Sequence, residues 1–392
     1  MGNFVGTLIR RERLRQNLSQ EGLCRGVCAV SYLSKIEQGK AEAGDDVLLP
    51  LLRRLGIECE TDGEFLSQGR ASVEALYEDL FAGMSGLPPF HEKLELVERQ
   101  LPRYLASPYM LDVLLLRAVR DHDMPEGLAE FIPCMTSRQY QLYLLLKLYG
   151  RDDSAAEELL RLNPCSFFTC SAGMARYWRG RYPEAVDLLS RGYDLAAREG
   201  HVYLMCTAKL FLGNCYCDSG QKELTLEHYR VARRLAAALQ GTEEWLADID
   251  YNVASTYLEQ NMAEEALKLL QGLKRRDGLY FHKLAVALEK LGRREEALKA
   301  LESARAAGAH GPAEAVMGEM LDLVEYRLRH PDYLRDGTYP ALMESVFSRL
   351  RRDMPSGFVR FHLPYMLEAL EAERRYKDAY RLSLEFSPYI SS

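Results

Sequence analysis

Four stretches between residues 165 and 305 repeat one pattern, and a fifth copy lies near the end. "RYWRGRYPEAVDLLSRGYDLA" places Gly180, Tyr182 and Ala185. "LGNCYCDSGQKELTLEHYRVA" places Gly213, Tyr216, Gly220, Thr225, Tyr229 and Ala232. "NVASTYLEQNMAEEALKLL" places Ala254, Tyr257, Asn261, Ala266 and Leu270, and "KLAVALEKLGRREEALKALESA" places Ala285, Leu288, Gly292, Ala297, Leu301 and Ala304. "ERRYKDAYRLSLEF" supplies Tyr376, Ala379 and Leu382. Each stretch reads helix, turn, helix. A small residue in the first helix lets the second cross it closely, Gly or Asn closes the first helix in a left-handed turn, and Ala or Thr sits under the crossing. A helix pair of this kind cannot bury its apolar face alone, so neighbours must stack. Strand-like alternation is absent, and the chain is expected to be all-α.

These pairs resemble tetratricopeptide repeats. The positions Ala185, Thr225, Ala266 and Ala297 are 40, 41 and 31 residues apart. The usual period is about 34, so the first units need longer helices or loops. Helices such as "VEALYEDLFAGM" and "RQYQLYLLLKLYG" extend the helical texture outside 165–305, and the α-solenoid is expected over residues 71–392. Such a solenoid presents a concave groove lined by its first helices. The expected lining is Ser171, Met174 and Trp178; then Thr207, Phe211, Asn214 and Asp218; then Asp248, Tyr251, Asn252, Ser255 and Glu259; then His282, Lys283 and Val286. The acids and Ser on their own are what any solvated helix face carries. Asn214 and Asn252 on adjacent repeats, flanked by Phe211, Tyr251 and Trp178, point instead to peptide binding, because an amide both donates to and accepts from an extended backbone. Asp218 and Glu259 would then favour a cationic residue or a free amino terminus.

The beginning of the chain is different. Residues 1–56 hold nine Lys/Arg and six Asp/Glu, a net +3, although all 392 residues sum to −7. A small basic module ahead of an acidic remainder suggests a nucleic-acid reader joined to a domain with another partner. Residues 4–57 read as short helices, with Ser19 as a helix cap, a turn around Cys28–Val30, a helix "SYLSKIEQG" closed by Gly39, and a last helix "DVLLPLLRRLGI". The run from "LSQEGLCRGVC" to "SYLSKIEQGK" resembles the phage-repressor-like (Xre/Cro) helix-turn-helix family over about residues 5–57; Gly22 and Cys24 depart from its usual second helix. The resemblance implies a five-helix DNA-binding domain over residues 1–60 and a linker at 61–70. It places Gln20 at the groove edge, Ser31, Tyr32, Ser34 and Lys35 on base edges, and Arg25 and Lys40 on phosphates of double-stranded DNA. It also pairs Arg13 with Glu37 inside the domain. Tyr32 packed on the domain's own surface is the alternative for that residue. The polar stretch "ECETDGEFLSQGR", 58–70, would let the domain move.

A helix-turn-helix domain ahead of a tetratricopeptide array resembles the peptide-pheromone receptors of Gram-positive bacteria, the Rgg, PlcR and PrgX type. The resemblance implies a cytoplasmic homodimeric transcription regulator whose groove binds a short signalling peptide. A protein partner docked on the array is the alternative. Related solenoids without a DNA-binding domain act on response regulators, a role that the intact "SYLSKIEQGK" argues against. Nothing suggests catalysis, a cofactor or a metal: GxGxxG, GxxxxGK[ST] and HExxH are absent, the nine cysteines show no CxxC, and "CDSGQ" is explained by its turn glycine. No apolar run is long enough to span a membrane, and the N-terminus lacks a signal-peptide pattern.

Overall fold

A computed structural model describes residues 4–274, 276–308, 314–354 and 356–386, and no strand occurs among them. The chain forms two compact units, residues 1–175 with 194–204, and residues 176–193 with 205–392.

The first unit opens with α1 (Phe4–Arg15), α2 (Gln20–Cys24), α3 (Val30–Glu37) and α4 (Asp45–Arg54). Ile9, Leu23, Leu33, Ile36, Leu51 and Leu52 meet in one closed core. Ser19 caps α2 by accepting from the Gly22 N–H at 2.9 Å, and Gly39 sits at φ 67° just past α3. At Gly6 the backbones of α1 and α3 approach so closely that a Cβ would lie 2.0 Å from the Ile36 carbonyl oxygen. This core is closed by four helices, not five. The fifth helix in chain order, α5 (Gly63–Phe81), packs instead with α6 (Pro88–Glu98) and α8 (Met110–Asp121).

The stretch expected as a linker is therefore mostly helix. Asp62 caps α5 by accepting from the Glu64 and Phe65 N–H groups. Arg103, on α7 (Leu101–Leu105), pairs with Glu60 and Asp62 and lies over the Phe65 ring. The Glu60 N–H donates to the Ala106 carbonyl at 2.8 Å. The charged residues that made this segment look solvated are the ones that fasten it. A 3-10 helix (Leu128–Cys134), α9 (Ser137–Tyr149) and α10 (Asp153–Leu162) follow. Tyr77 and Gln139 both donate to buried Asp112, at 2.8 and 2.9 Å.

The repeats continue with α11 (Ser166–Trp178), α12 (Tyr182–Glu199), α13 (Val202–Asp218), α14 (Lys222–Ala237), α15 (Glu243–Glu259) and α16 (Ala263–Gly272). Then come α17 (Gly278–Lys290), α18 (Arg294–Ala307), α19 (Glu314–Arg329), α20 (Thr338–Asp353), α21 (Ser356–Ala372) and α22 (Tyr376–Glu385). Ala185, Thr225, Ala266 and Ala297 each stand three residues into the second helix of a pair, and all are fully buried. The wide early spacing comes from helix length: α12 and α13 have 18 and 17 residues, whereas α16 and α17 have 10 and 13.

Among the described residues, six turns between paired helices share one geometry. Gly180, Gly220, Asn261 and Gly292 are left-handed there, and so are Arg151 and Arg374. In each, the N–H that follows donates to the carbonyl five residues earlier, at 2.8–3.0 Å. Gly292 has open space around a hypothetical Cβ, so only its φ of 72° resists substitution. A side chain in that conformation costs roughly 1 kcal/mol. Gly292→Ala should lower stability by about that amount and Arg374→Gly should raise it similarly, measured as opposite shifts of the urea unfolding midpoint.

Candidate functional site

The N-terminal domain is organised by one buried ion pair. Arg13 donates through Nε and Nη2 to the two Glu37 carboxylate oxygens at 2.7 and 2.8 Å, and through Nη1 to the Leu18 carbonyl at 2.9 Å. Both residues are buried. The pair fixes the end of α3 against α1 and the turn into α2. Gln20 joins it, donating to Glu37 Oε2 at 2.8 Å. Its side chain is half-buried and turned onto the ion pair. Tyr32 donates to the Glu42 carbonyl at 3.0 Å, so its hydroxyl is anchored on the domain's own surface. Ser34 is half-buried and accepts from Gln38 at 3.1 Å. Arg25, Ser31, Lys35 and Lys40 are exposed. Arg54 donates to the Leu23 carbonyl at 2.7 Å, a contact that nothing in the local sequence signals.

In the second unit, a cleft of about 170 Å³ is lined by Tyr177, Trp178, Asn214, Asp218, Tyr251, Asn252, Ser255, Glu259 and Lys283, with Tyr229 between the two asparagines and Gly357 and Phe358 at its edge. Eight of the fifteen lining residues expected from sequence meet here: Trp178, Asn214, Asp218, Tyr251, Asn252, Ser255, Glu259 and Lys283. Phe211 stands behind, edge-on to Tyr177 and Trp178 with centroids 5.4 and 6.1 Å away. Trp178 is 66% exposed, an unusual state for indole and one that leaves a ring face open at the cleft. The Tyr229 hydroxyl donates to Asn214 Oδ1 at 2.7 Å and also bonds Asn252. The asparagines are not in the same repeat position: Asn214 is four residues from the end of α13, and Asn252 seven from the end of α15. Tyr229, rather than repeat register, brings them together.

Other expected lining residues lie elsewhere. Ser171 is buried and donates to the Phe167 carbonyl at 2.8 Å. His282 and Val286 are each 1% exposed and belong to the core, because α17 is covered by further helices.

Asp218 also departs from expectation. It is 6% exposed, and its carboxylate accepts from Tyr177, Tyr182 and the Gly357 N–H at the start of α21. Arg360 donates to the Asp218 carbonyl and, at 2.8 Å, to that of Phe386. The Tyr182 hydroxyl lies 3.0 Å from Ser356 Oγ. Asp218 thus serves as a remote cap for α21, favoured by the positive end of that helix, and is not a free anion for a ligand. Tyr182 and Arg360 were missed from sequence: one fits the repeat pattern, and the other lies 142 residues from its partner.

Burial pushes the Asp218 carboxyl up to about 6, against the hydrogen bonds and Arg360 that favour its charged form. A folded value above the unfolded one means that ionisation opposes folding. Stability should therefore rise as pH falls through about 6 and level off near the ordinary value of 3.8. Asp218→Asn removes this dependence. The stability of the native protein relative to the Asn variant should drop by up to ~3 kcal/mol between pH 4 and 7, measured by urea unfolding.

Residues 9–61 match the Helix-turn-helix family. The N-terminal domain is a helix-turn-helix domain. No curated protein matches the chain. Among solved structures, a Rap protein complexed with Competence and Sporulation Factor is 13% identical, with a TM-score of 0.57 over 82% of this chain and 97% of that one. The shared feature is the fold, a helical-repeat solenoid. Bacillus thuringiensis PlcR in complex with the peptide PapR7 and DNA is 14% identical over the same shares, but its TM-score of 0.32 is below that of a common fold. No helix among the described residues is long and apolar enough to cross a membrane, and no group of His, Cys, Asp and Glu among them could hold a metal ion.

Proposed function

We propose that the chain is a DNA-binding transcription regulator whose second unit binds a short signalling peptide and thereby controls DNA binding, as in quorum sensing. The observation that carries this reading is the cleft: two side-chain amides held on either side of Tyr229, faced by Trp178, Tyr177 and Tyr251, in a chain that begins with a helix-turn-helix domain. Amides fix an extended backbone whatever its sequence, and aromatic faces cover its side chains. The Rap protein with the same fold was solved with a bound factor, which supports a ligand here.

DNA would meet the exposed row Ser31 and Lys35 on α3, with Arg25 and Lys40 flanking it. One such domain makes few contacts, so a homodimer would read two half-sites about 34 Å apart. Since Glu60 and Asp62 tie the domain to α7, the two domains would be repositioned by movement of the helices that carry them and not by a loose hinge. Light scattering on the full-length protein should give the mass of a dimer; a monomer at micromolar concentration contradicts this part.

Lys35→Ala should cost roughly 1–3 kcal/mol at the preferred operator and relax its sequence preference, whereas Lys40→Ala should weaken all sequences alike and reduce the salt slope by about one. Electrophoretic mobility shifts across a salt series check both. For the cleft, Asn252→Ala should lower the affinity of a co-purifying peptide by about ten- to a hundredfold, with Asn214→Ala similar, because each leaves backbone groups unpaired at roughly 1–3 kcal/mol. Calorimetry reads this directly. Unchanged affinity in both variants, or a folded protein partner in place of a peptide, would reject the peptide reading.

A further inference from the structure

Lys283 lines the cleft from α17 and is 3% exposed. Its Nζ sits 2.7 Å from the centroid of the Phe361 ring on α21. Among the described residues its close contact is the Phe361 ring and the strongest charge acting on it is Glu259, with no hydrogen bond or ion pair to its Nζ. A buried ammonium left without an acceptor is costly, and such groups are normally paired.

The other charges around it do not fill that gap. Glu259 lines the same cleft but makes no ion pair with Lys283, and three cations act on it at once: Lys283, Lys222 and Arg360. Arg360 already donates to two carbonyls, and the Asp218 carboxylate is surrounded by Tyr177, Tyr182 and the Gly357 N–H. Lys222 donates to the Glu259 carbonyl at 3.0 Å. Three basic side chains thus share two acidic ones, and a carboxylate brought to Lys283 would favour the charged form that burial disfavours. Lys283 is the cation whose donors are free. His282 and His362 beside it are buried, and burial pushes both down, so they stay neutral. Burial also holds Lys283 well below the usual lysine range, against the pull of Glu259.

We propose that Lys283 is the recognition residue for a carboxylate of the ligand, either the C-terminal carboxylate of a peptide or an Asp or Glu side chain entering the cleft. This rests on the reading of the cleft as the peptide site. The cleft's small volume suits the end of a chain, and the amides of Asn214 and Asn252 then hold the residues that lead to it. The preference is opposite to that expected from Asp218 and Glu259 in the sequence, because the structure engages one of those acids and surrounds the other with cations.

The test uses full-length protein on a support and three mixtures of N-acetylated random hexapeptides. The first lacks Asp and Glu and has a free C-terminal carboxylate. The second is identical but C-terminally amidated. The third is amidated and includes Asp and Glu. Retained peptides are quantified by mass spectrometry. The proposal expects the first or the third mixture to be retained about tenfold or more over the second, and this identifies which carboxylate is read. Lys283→Met, with its helicity checked by circular dichroism, should abolish the difference, and Lys283→Arg should keep part of it. The wild-type comparison stands even if Lys283→Met does not fold. Equal retention of all three mixtures overturns the carboxylate assignment alone and leaves the peptide reading intact. No retention of any mixture overturns both.

Discussion

The arrangement of the second unit depends on Asp218. Its carboxylate holds Tyr177, Tyr182 and the Gly357 N–H of α21, while Arg360 reaches from α21 to its carbonyl. The last helices are thereby fastened to the first repeats of the unit, and Gly357 and Phe358 become part of a cleft otherwise formed by α11, α13, α14, α15 and α17. A carboxyl buried this deeply destabilises the fold when charged, which is why its proton affinity rises. The cleft therefore gains a closed edge at some expense in stability, and its remaining charges are left with few partners.

The ion pair of Arg13 and Glu37 has the same part in the N-terminal domain. It occupies the gap where α1, the entry to α2 and the end of α3 meet, and it takes up Gln20 as well. With these side chains turned inward, the outer face of α3 presents Ser31 and Lys35 to solvent, flanked by Arg25 and Lys40. The two halves of the chain share one device: a nearly buried charge with its partners in place fixes the helices that carry a candidate binding surface.

What was legible in the sequence was local. Repeat turns announce themselves where Gly or Asn takes the left-handed position, and the burial of Ala185, Thr225, Ala266 and Ala297 follows from their fixed place after the turn. Where arginine takes that position, at 151 and 374, the turn has the same geometry; Tyr376, Ala379 and Leu382 mark the second in the sequence, and nothing marks the first. The cleft could be read as far as helix faces allow, which brought Asn214, Asn252, Trp178 and Glu259 together. Helix periodicity does not tell which face a distant helix will cover. For that reason Lys283 and His282 looked like groove residues of equal standing, whereas both are buried against α21 and only Lys283 borders the cleft. Polar composition misled at 58–70, since charges that pair across 43 residues resemble solvated ones.

The central claim is that this cleft holds a short peptide in the working protein. Native mass spectrometry of the full-length protein isolated from its own cells tests it most directly. The account predicts a population carrying one peptide of a few residues per chain, released on gentle activation and absent from protein with Asn252→Ala. Protein that carries no such mass under conditions where its DNA binding responds normally to the cell's signals would contradict it.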